Sequence, residues 1–575
     1  MKLILSSLLI VLTTFVNAQV FYEIDTLRYE DRIDGPIDSI DVNSGNLPTT
    51  FDGGVNTIGT QGVSVSNLYE NIVSNPFQRT HKFSKVEFSA LPHLGFAYSF
   101  GAQGTQLIHA KYNHAFTEKL ILDVDYVKSS TAGVIRNSAS SLNDLGLQLL
   151  RAGNKYSTYV KASFNLNTVA HSGGLQNVDS IIEQFGLEFA PVQKGAADSK
   201  NKLGIIDWDN YFNLLPDSLR QLGLKTTHKY SVFNRVYNEF SDTLSELYQV
   251  INIDSTFTRD QTNLASITNG AGIFFASNNF SIDGVLTHRY WDLQNLGSHI
   301  DTTEIGIESS ARLNLRGFCL SNELKINLIG AANEFSEEVS VQYNTKKLGF
   351  YARYFLKNQL MQPDQRKYLS NHVLYDGNFL KQTATGLKAS LRYDFIPEKY
   401  NVGLCVDLNS ITNPFVFNGT NWVNDSIDFN FASFSIDGGV QLGPLHINPR
   451  YIYSVSKNYY LPQSQLFARI FVKGKLFKAK KLEALIGVDA SYTSSFRLKS
   501  YIPFMDTYDW NNTTTYSNSS TNLHAFIALG ISEFRFFIRY ENIGYFWSDK
   551  LTQELLNYPI AGTRMRVGIT WDFFN

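Results

Sequence analysis

Arg564-Met565-Arg566-Val567-Gly568-Ile569-Thr570-Trp571-Asp572-Phe573-Phe574 is the stretch that decides the fold. Met565, Val567, Ile569, Trp571 and Phe573 fall on one parity, and Arg564, Arg566, Gly568, Thr570 and Asp572 on the other. A β-strand turns successive side chains to opposite faces, so this stretch makes a ribbon with one apolar and one wet side. Its length and its closing aromatics are those of a strand crossing a membrane within a closed sheet.

The same pattern recurs upstream. Ile108, Ala110 and Tyr112 alternate with His109, Lys111 and Asn113; after the turn at 117–119, Leu122, Val124 and Tyr126 alternate with Asp123 and Asp125. Tyr156, Val160, Ala162 and Phe164 oppose Lys161, Ser163 and Asn165, and Leu387, Leu391, Tyr393 and Phe395 oppose Lys388, Arg392 and Asp394. Leu523, Ala525, Ile527 and Leu529 lead through Ser532-Glu533 into Phe534, Phe536, Ile538 and Tyr540, which alternate with Arg535, Arg539 and Glu541.

Connection lengths orient the sheet. Short turns at 117–119, 153–154, 278–279, 317–321, 396–399, 441–443, 474–480 and 532–533 alternate with longer polar connections at 130–142, 168–263, 358–383, 411–426, 494–520 and 543–560. Short periplasmic turns and long outer loops are the asymmetry of outer-membrane barrels. The expected fold is therefore an all-β, transmembrane, antiparallel up-and-down barrel of about 20 strands (18 to 22). Residues 168–263 alternate poorly. They hold a short helix at Asp217–Leu224 and alternating pieces around His228–Phe240, and read as a long outer loop, a constriction segment or a further hairpin.

The other end of the chain gives an address. Lys2, the apolar run Leu3–Val16 and the small residues Val16-Asn17-Ala18 form a secretory signal peptide over 1–18, with cleavage expected near Ala18. Residues 19–82, acidic and then rich in Gly, Ser and Asn, read as a periplasmic extension or a small plug; the barrel is expected over 83–575. The acidic part lacks the spacing of a calcium loop. Net charge is −2, which points to no nucleic-acid partner. The two cysteines, Cys319 and Cys405, make neither a disulfide framework nor a metal motif. No metal, nucleotide or other cofactor motif is present, and neither GxSxG nor HExxH occurs, so no enzyme is expected.

Residues 83–175 resemble the putative porin family of bacteroidete outer membranes. The likeness lies in the opening strand Phe83–Tyr98, in Gln106-Leu107-Ile108-His109-Ala110-Lys111-Tyr112, in its partner Leu122-Asp123-Val124-Asp125-Tyr126, and in the Ser172-Gly173-Gly174-Leu175 turn. The chain ends on Asn575, with Phe574 one place short of the terminal aromatic usual in such barrels. The resemblance implies passive passage of solutes and carries no catalytic residues with it.

A barrel of this size encloses water unless something fills it. The expectation is a porin of a Gram-negative cell outer membrane, a diffusion channel for small polar solutes or ions. The alternative is a plugged barrel serving as a structural or assembly partner of surface or secretion proteins. A TonB-type active transporter would need a plug larger than residues 19–82. The wet parity names Lys111, Asp123, Asp125, Lys161, Arg392, Asp394, Arg535, Arg539, Arg564 and Arg566 as pore-lining. Arginines 535, 539, 564 and 566 form an anion ladder, or else pair with Glu87, Glu541 or Asp572 or hold the N-terminal segment. Tyr156, Tyr393, Phe395, Trp571 and Phe573 are expected at the membrane interface. Expected partners are outer-membrane lipid, the transported solutes and the barrel-assembly machinery; a homo-oligomer or a surface-protein partner stays open.

Overall fold

The computed structural model describes residues 24–26, 81, 83, 86–89 and 91–574, except 179–185, 217–219, 243, 297, 332, 398, 457–460, 510–514 and 548–551. The expected signal peptide and nearly all of the 19–82 extension lie outside the described residues.

Twenty-two strands form one closed antiparallel barrel. Numbered along the wall they are β1 (His93–Gly101), β2 (Gln106–Thr117), β3 (Leu120–Thr131), β4 (Ser140–Arg151), β5 (Tyr156–Ala170), β6 (Ala197–Pro216) and β7 (Arg220–Phe240). Next come β8 (Phe257–Ser277), β9 (Phe280–Asn295), β10 (Ser298–Leu315), β11 (Phe318–Ile329), β12 (Phe335–Asn344), β13 (Leu348–Gln359), β14 (Gln382–Ile396) and β15 (Tyr400–Thr412). The wall finishes with β16 (Phe429–Leu442), β17 (Leu445–Ser456), β18 (Ser464–Leu476), β19 (Leu482–Thr493), β20 (Ser520–Ile531), β21 (Phe534–Glu541) and β22 (Arg564–Phe574). Each strand pairs with its chain neighbours, and β22 closes the ring on β1 through the register His93↔Phe574 to Gly101↔Arg566.

Two strands exceed the expected central number, and both lie in 168–263. Loop 171–196 and loop 241–256 are real connections, but β6 and β7 between them form a hairpin of 20 and 21 residues. Arg220–Leu224, expected as helix, begins β7 instead, with Leu222 and Leu224 exposed on its outer face. The expected turn at 317–321 is tighter: Gly317, at φ +86°, lets β11 begin at Phe318. The wall itself starts at His93 and not near residue 83.

The two faces follow the parity. On β22, Met565 and Trp571 are exposed outward, while Arg566 and Asp572 are buried inside. Backbone hydrogen bonding around the whole ring leaves no sheet edge, which is what lets such a wall stand in lipid. One close approach fixes a hairpin: a Cβ at Gly272 on β8 would meet the Gly284 carbonyl oxygen of β9 at 1.9 Å.

Gly272→Val is therefore expected to destabilise the barrel by about 1–3 kcal/mol through overpacking. A lower urea midpoint for loss of the heat-resistant folded band would show it; an unchanged midpoint would contradict the β8–β9 register.

Candidate functional site: the lumen and its outer cap

The register places every pore-lining candidate on the lumen parity. Lys111 pairs with Asp125, and Asn113 with Asp123, across β2–β3. Lys161 stands opposite Gln148 and Asp207, with its ammonium 4.8 Å from the Tyr159 ring. Arg392 reaches Asp394 at 3.2 Å and is largely exposed toward the open part of the lumen. Glu541, Arg539 and Arg535 of β21 share that face with Arg564, Arg566 and Asp572 of β22.

Arg535, Arg539 and Arg566 form pairs and not a ladder of bare cations. Arg469 grips Asp489 with two hydrogen bonds of 2.7 and 3.1 Å, and Arg539 reaches the same carboxylate at 2.6 Å. Glu541 lies 3.0 Å from Arg566 and 3.7 Å from Arg539. Arg535 pairs with Asp572 at 3.3 Å, and Asp572 also meets His93 at 3.0 Å. The last triad joins β21, β22 and β1, so it fastens the seam where the first and last strands meet. Arg564 stands opposite Glu541 in the register. On the far wall Arg353–Glu338 at 2.6 Å and Lys325–Glu308 at 3.2 Å repeat the cross-strand pairing.

The interface aromatics lie on the outer face near the short-turn end. Tyr156 packs at a tilt against Phe212 at 5.0 Å and donates its hydroxyl to Asn210, while Tyr393 meets Phe395 edge-on at 5.0 Å. Trp571 stacks on Phe573 at 4.5 Å.

The outer mouth carries a structure that alternation could not announce. A ring of 22 strands is roughly 40 Å across, too wide for wall side chains to fill. Surface loops fold over it. Loops 413–428 and 494–519 together build a four-stranded sheet, in the order Trp422–Asn424, Phe415–Phe417, Thr507–Asp509, Ser500–Ile502. One apolar core gathers Ile135, Leu175, Val416, Leu461, Tyr501 and Tyr558, from six different loops, against Val169 and Ile452 of the wall. A second joins Met361, Val373, Phe417, Trp422 and Phe504 to Ala197 and Tyr237 of the wall.

Polar clips hold the cap to the wall. Arg235 on β7 donates to the backbone oxygen of Phe504 at 2.6 Å and to that of Pro503. Loop 494–519 hangs between β19 and β20, about half-way around the ring from β7, so it spans the mouth. Glu239 accepts from Lys194 at 2.7 Å, from Tyr237 at 2.7 Å and from Tyr248 at 2.6 Å. His372 stacks on Tyr248 at 3.5 Å, and burial holds its imidazole down to about pKa 4, so it is neutral there. In the same loop, burial lifts the Asp364 carboxyl to about 6.

The lower lumen is lined in part by chain that precedes the wall. His81 bonds Asp144 at 3.0 Å, and a Cβ at Gly146 would meet its ring at 2.1 Å. Val86 is buried among Ile121, Leu150, Tyr211 and Phe274, all on the lumen face, and Val86–Phe88 pairs in parallel with Ile24–Thr26. Sequence reasoning also missed two apolar clusters inside the lumen, Leu203–Phe233–Leu264–Leu293 and Phe471–Leu485–Phe526–Phe537. The signal was present: each stretch is apolar on both parities, as in Val232-Phe233 and Phe536-Phe537.

The sequence family described as "Putative porin" matches residues 80–575. No curated protein matches the chain. Among solved structures it is similar to BauA, the ferric preacinetobactin receptor from Acinetobacter baumannii, at TM-score 0.53 and 11% identity over 84% of this chain and 80% of that one. It is also similar to Fiu, the ferric-catecholate import receptor of E. coli K12, at TM-score 0.56 and 10% identity over 85% and 83%. The ferripyoverdine receptor of the outer membrane of Pseudomonas aeruginosa gives TM-score 0.56 and 10% identity over 85% and 73%. At that identity the likeness is one of fold.

The cap's response to pH follows from two groups of opposite sign. His372 titrates near 4 when packed and near 6.5 when free, so its support is full above 6.5 and is lost as pH falls toward 4. Asp364 titrates near 6 when packed and 3.8 when free, so its support is full below 3.8 and is lost as pH rises through 6. The two oppose each other between these limits, and protease sensitivity of the outer loops is expected to change little there. Asp364→Asn should unmask loosening as pH falls, and His372→Phe loosening as pH rises. The same profile in both variants would refute the assignment.

Proposed function

The chain belongs to the putative porin family, and from that premise we propose that it passes small polar solutes or ions across the outer membrane by passive diffusion. The surface loops gate that passage at the outer mouth. The observation carrying this reading is the closed wall around a lumen in which many charges of both signs are paired strand to strand. Such a lining is wet but has little net field, which favours general passage over selection of one ion sign. Outer-membrane placement is supported by the family and by the receptor folds it resembles. No catalytic step is assigned to any residue.

The cap, and His81 and Val86 packed against the lumen face, favour a second reading, a plugged barrel that serves as a structural or assembly partner of other surface proteins. The two readings part on conductance.

Single-channel recording of the full chain in a planar bilayer is expected to give brief, infrequent openings with weak ion selectivity. Arg235→Ala removes two charged hydrogen bonds from loop 494–519, each worth about 1.5–3 kcal/mol, and should lengthen the open time by tenfold or more. Removing residues 19–82 tests the lower obstruction in the same way. Silence in all three proteins would reject diffusion and leave the partner reading standing.

A further inference from the structure

We propose that the outer face of β3–β7 holds a groove for one phosphorylated lipid of the outer leaflet. The proposal stands apart from conduction, because the groove faces away from the lumen.

The groove is made by a missing side chain. Gly204 on β6 lies in one register row with Tyr126, Leu145, Phe164 and Val232, and all five positions face outward. A Cβ at Gly204 would meet only Phe164, at 3.7 and 3.9 Å, and its backbone is not in the left-handed region. Neither backbone conformation nor crowding therefore demands glycine there; what it supplies is space. The resulting cleft has a volume of about 540 Å³ and an apolar floor that continues over Ile206 and Tyr230. That volume lies within the roughly 300–1,000 Å³ range of ligand clefts.

Polarity changes one row higher. Lys128, Asn143, Leu166, Lys202, Asn234 and Asn263 form the next outward row across β3 to β8. Lys128 stands nine residues above the turn residue Lys119. At about 3.3 Å per residue and a tilt near 40°, that is a climb of roughly 23 Å, the top of an apolar band about 25 Å tall. The row thus lies at headgroup level on the loop side. Among the described residues neither Lys128 nor Lys202 has a carboxylate within ion-pair distance, unlike the paired lumen cations. Asn143 accepts the Tyr126 hydroxyl at 3.1 Å, which holds that ring against the cleft.

An apolar slot that faces hydrocarbon and ends beneath the Lys202 ammonium, with Lys128 three strands along the same row, is complementary to an acyl chain whose headgroup carries phosphate. A neutral lipid would fill the slot and leave both lysines in water. Inorganic phosphate would meet the lysines without using the slot.

The test is native mass spectrometry of the full chain taken from vesicles of equal phosphatidylglycerol and phosphatidylcholine, with stepwise delipidation. The wild type is expected to keep one phosphatidylglycerol in preference to phosphatidylcholine by roughly tenfold. Lys128→Gln with Lys202→Gln should bring the retained ratio back to that of the vesicle. Gly204→Leu should abolish retention of either lipid while the heat-resistant folded band is unchanged. Equal retention of both lipids by the wild type, unaltered retention in the variants, or displacement by millimolar inorganic phosphate would each overturn the proposal. Should Gly204→Leu not fold, the lysine pair decides alone, since both side chains project out of the wall.

Discussion

Everything in this molecule depends on satisfying backbone hydrogen bonds in a solvent that offers none. A strand edge left open in hydrocarbon costs several kcal/mol for each unpaired group, so the sheet must return to its own beginning. Here the return is the nine-residue pairing of β1 with β22, backed inside by the His93–Asp572–Arg535 triad. The triad reaches across the seam and links both terminal strands to β21. Losing it would expose charged groups in the lumen at the junction that assembles last in chain order.

Closure then sets the interior problem. A ring of 22 strands encloses more space than its side chains can occupy, and water or chain must take the rest. Near β5–β9 the lumen face is mostly buried, with Ser199, Asn201, Arg235 and Asp260 each no more than 5% exposed. Near β11–β14 it stays accessible, as Lys325 and Arg392 show. The interior is thus asymmetric, packed along one side and wet along the other.

How much of this could be read from the chain follows from what alternation measures. Period two reports contrast between two faces, and it placed the strands of the C-terminal hairpins, their turns and the lumen parity of Arg535, Arg539, Arg564 and Arg566. It failed over β6 because the contrast vanishes there: Lys200 and Lys202 face outward above the apolar band while Asn201 faces in, and lower down Asn210 points out where Tyr211 points in. It failed inside the lumen for the opposite reason, since Phe471, Phe526 and Phe537 make the wet face apolar. The partners of the arginines were open in the sequence because they depend on register, and a shift of one residue would exchange every face. The cap was invisible, because its cores collect single residues from loops hundreds of positions apart.

The cap is also where rigidity gives way. Wall strands are hydrogen-bonded on both sides and held by their neighbours, so the ring cannot widen without breaking many bonds together. The loops are held instead by side-chain contacts, among them the Arg235 clip, the Glu239 node, the Thr258–His372 bond and two apolar cores built from separate connections. Local openings in proteins come from such low-stability elements. Loop 494–519 is rooted on one side of the barrel and clipped on the other, so releasing Arg235 frees its tip while its sheet with loop 413–428 persists. The two loops would then swing as one unit from their shared side of the mouth. Release by that route leaves the wall, its seam and its outer lipid face unchanged, so under the proposed function gating would fall to contacts outside the membrane-spanning strands.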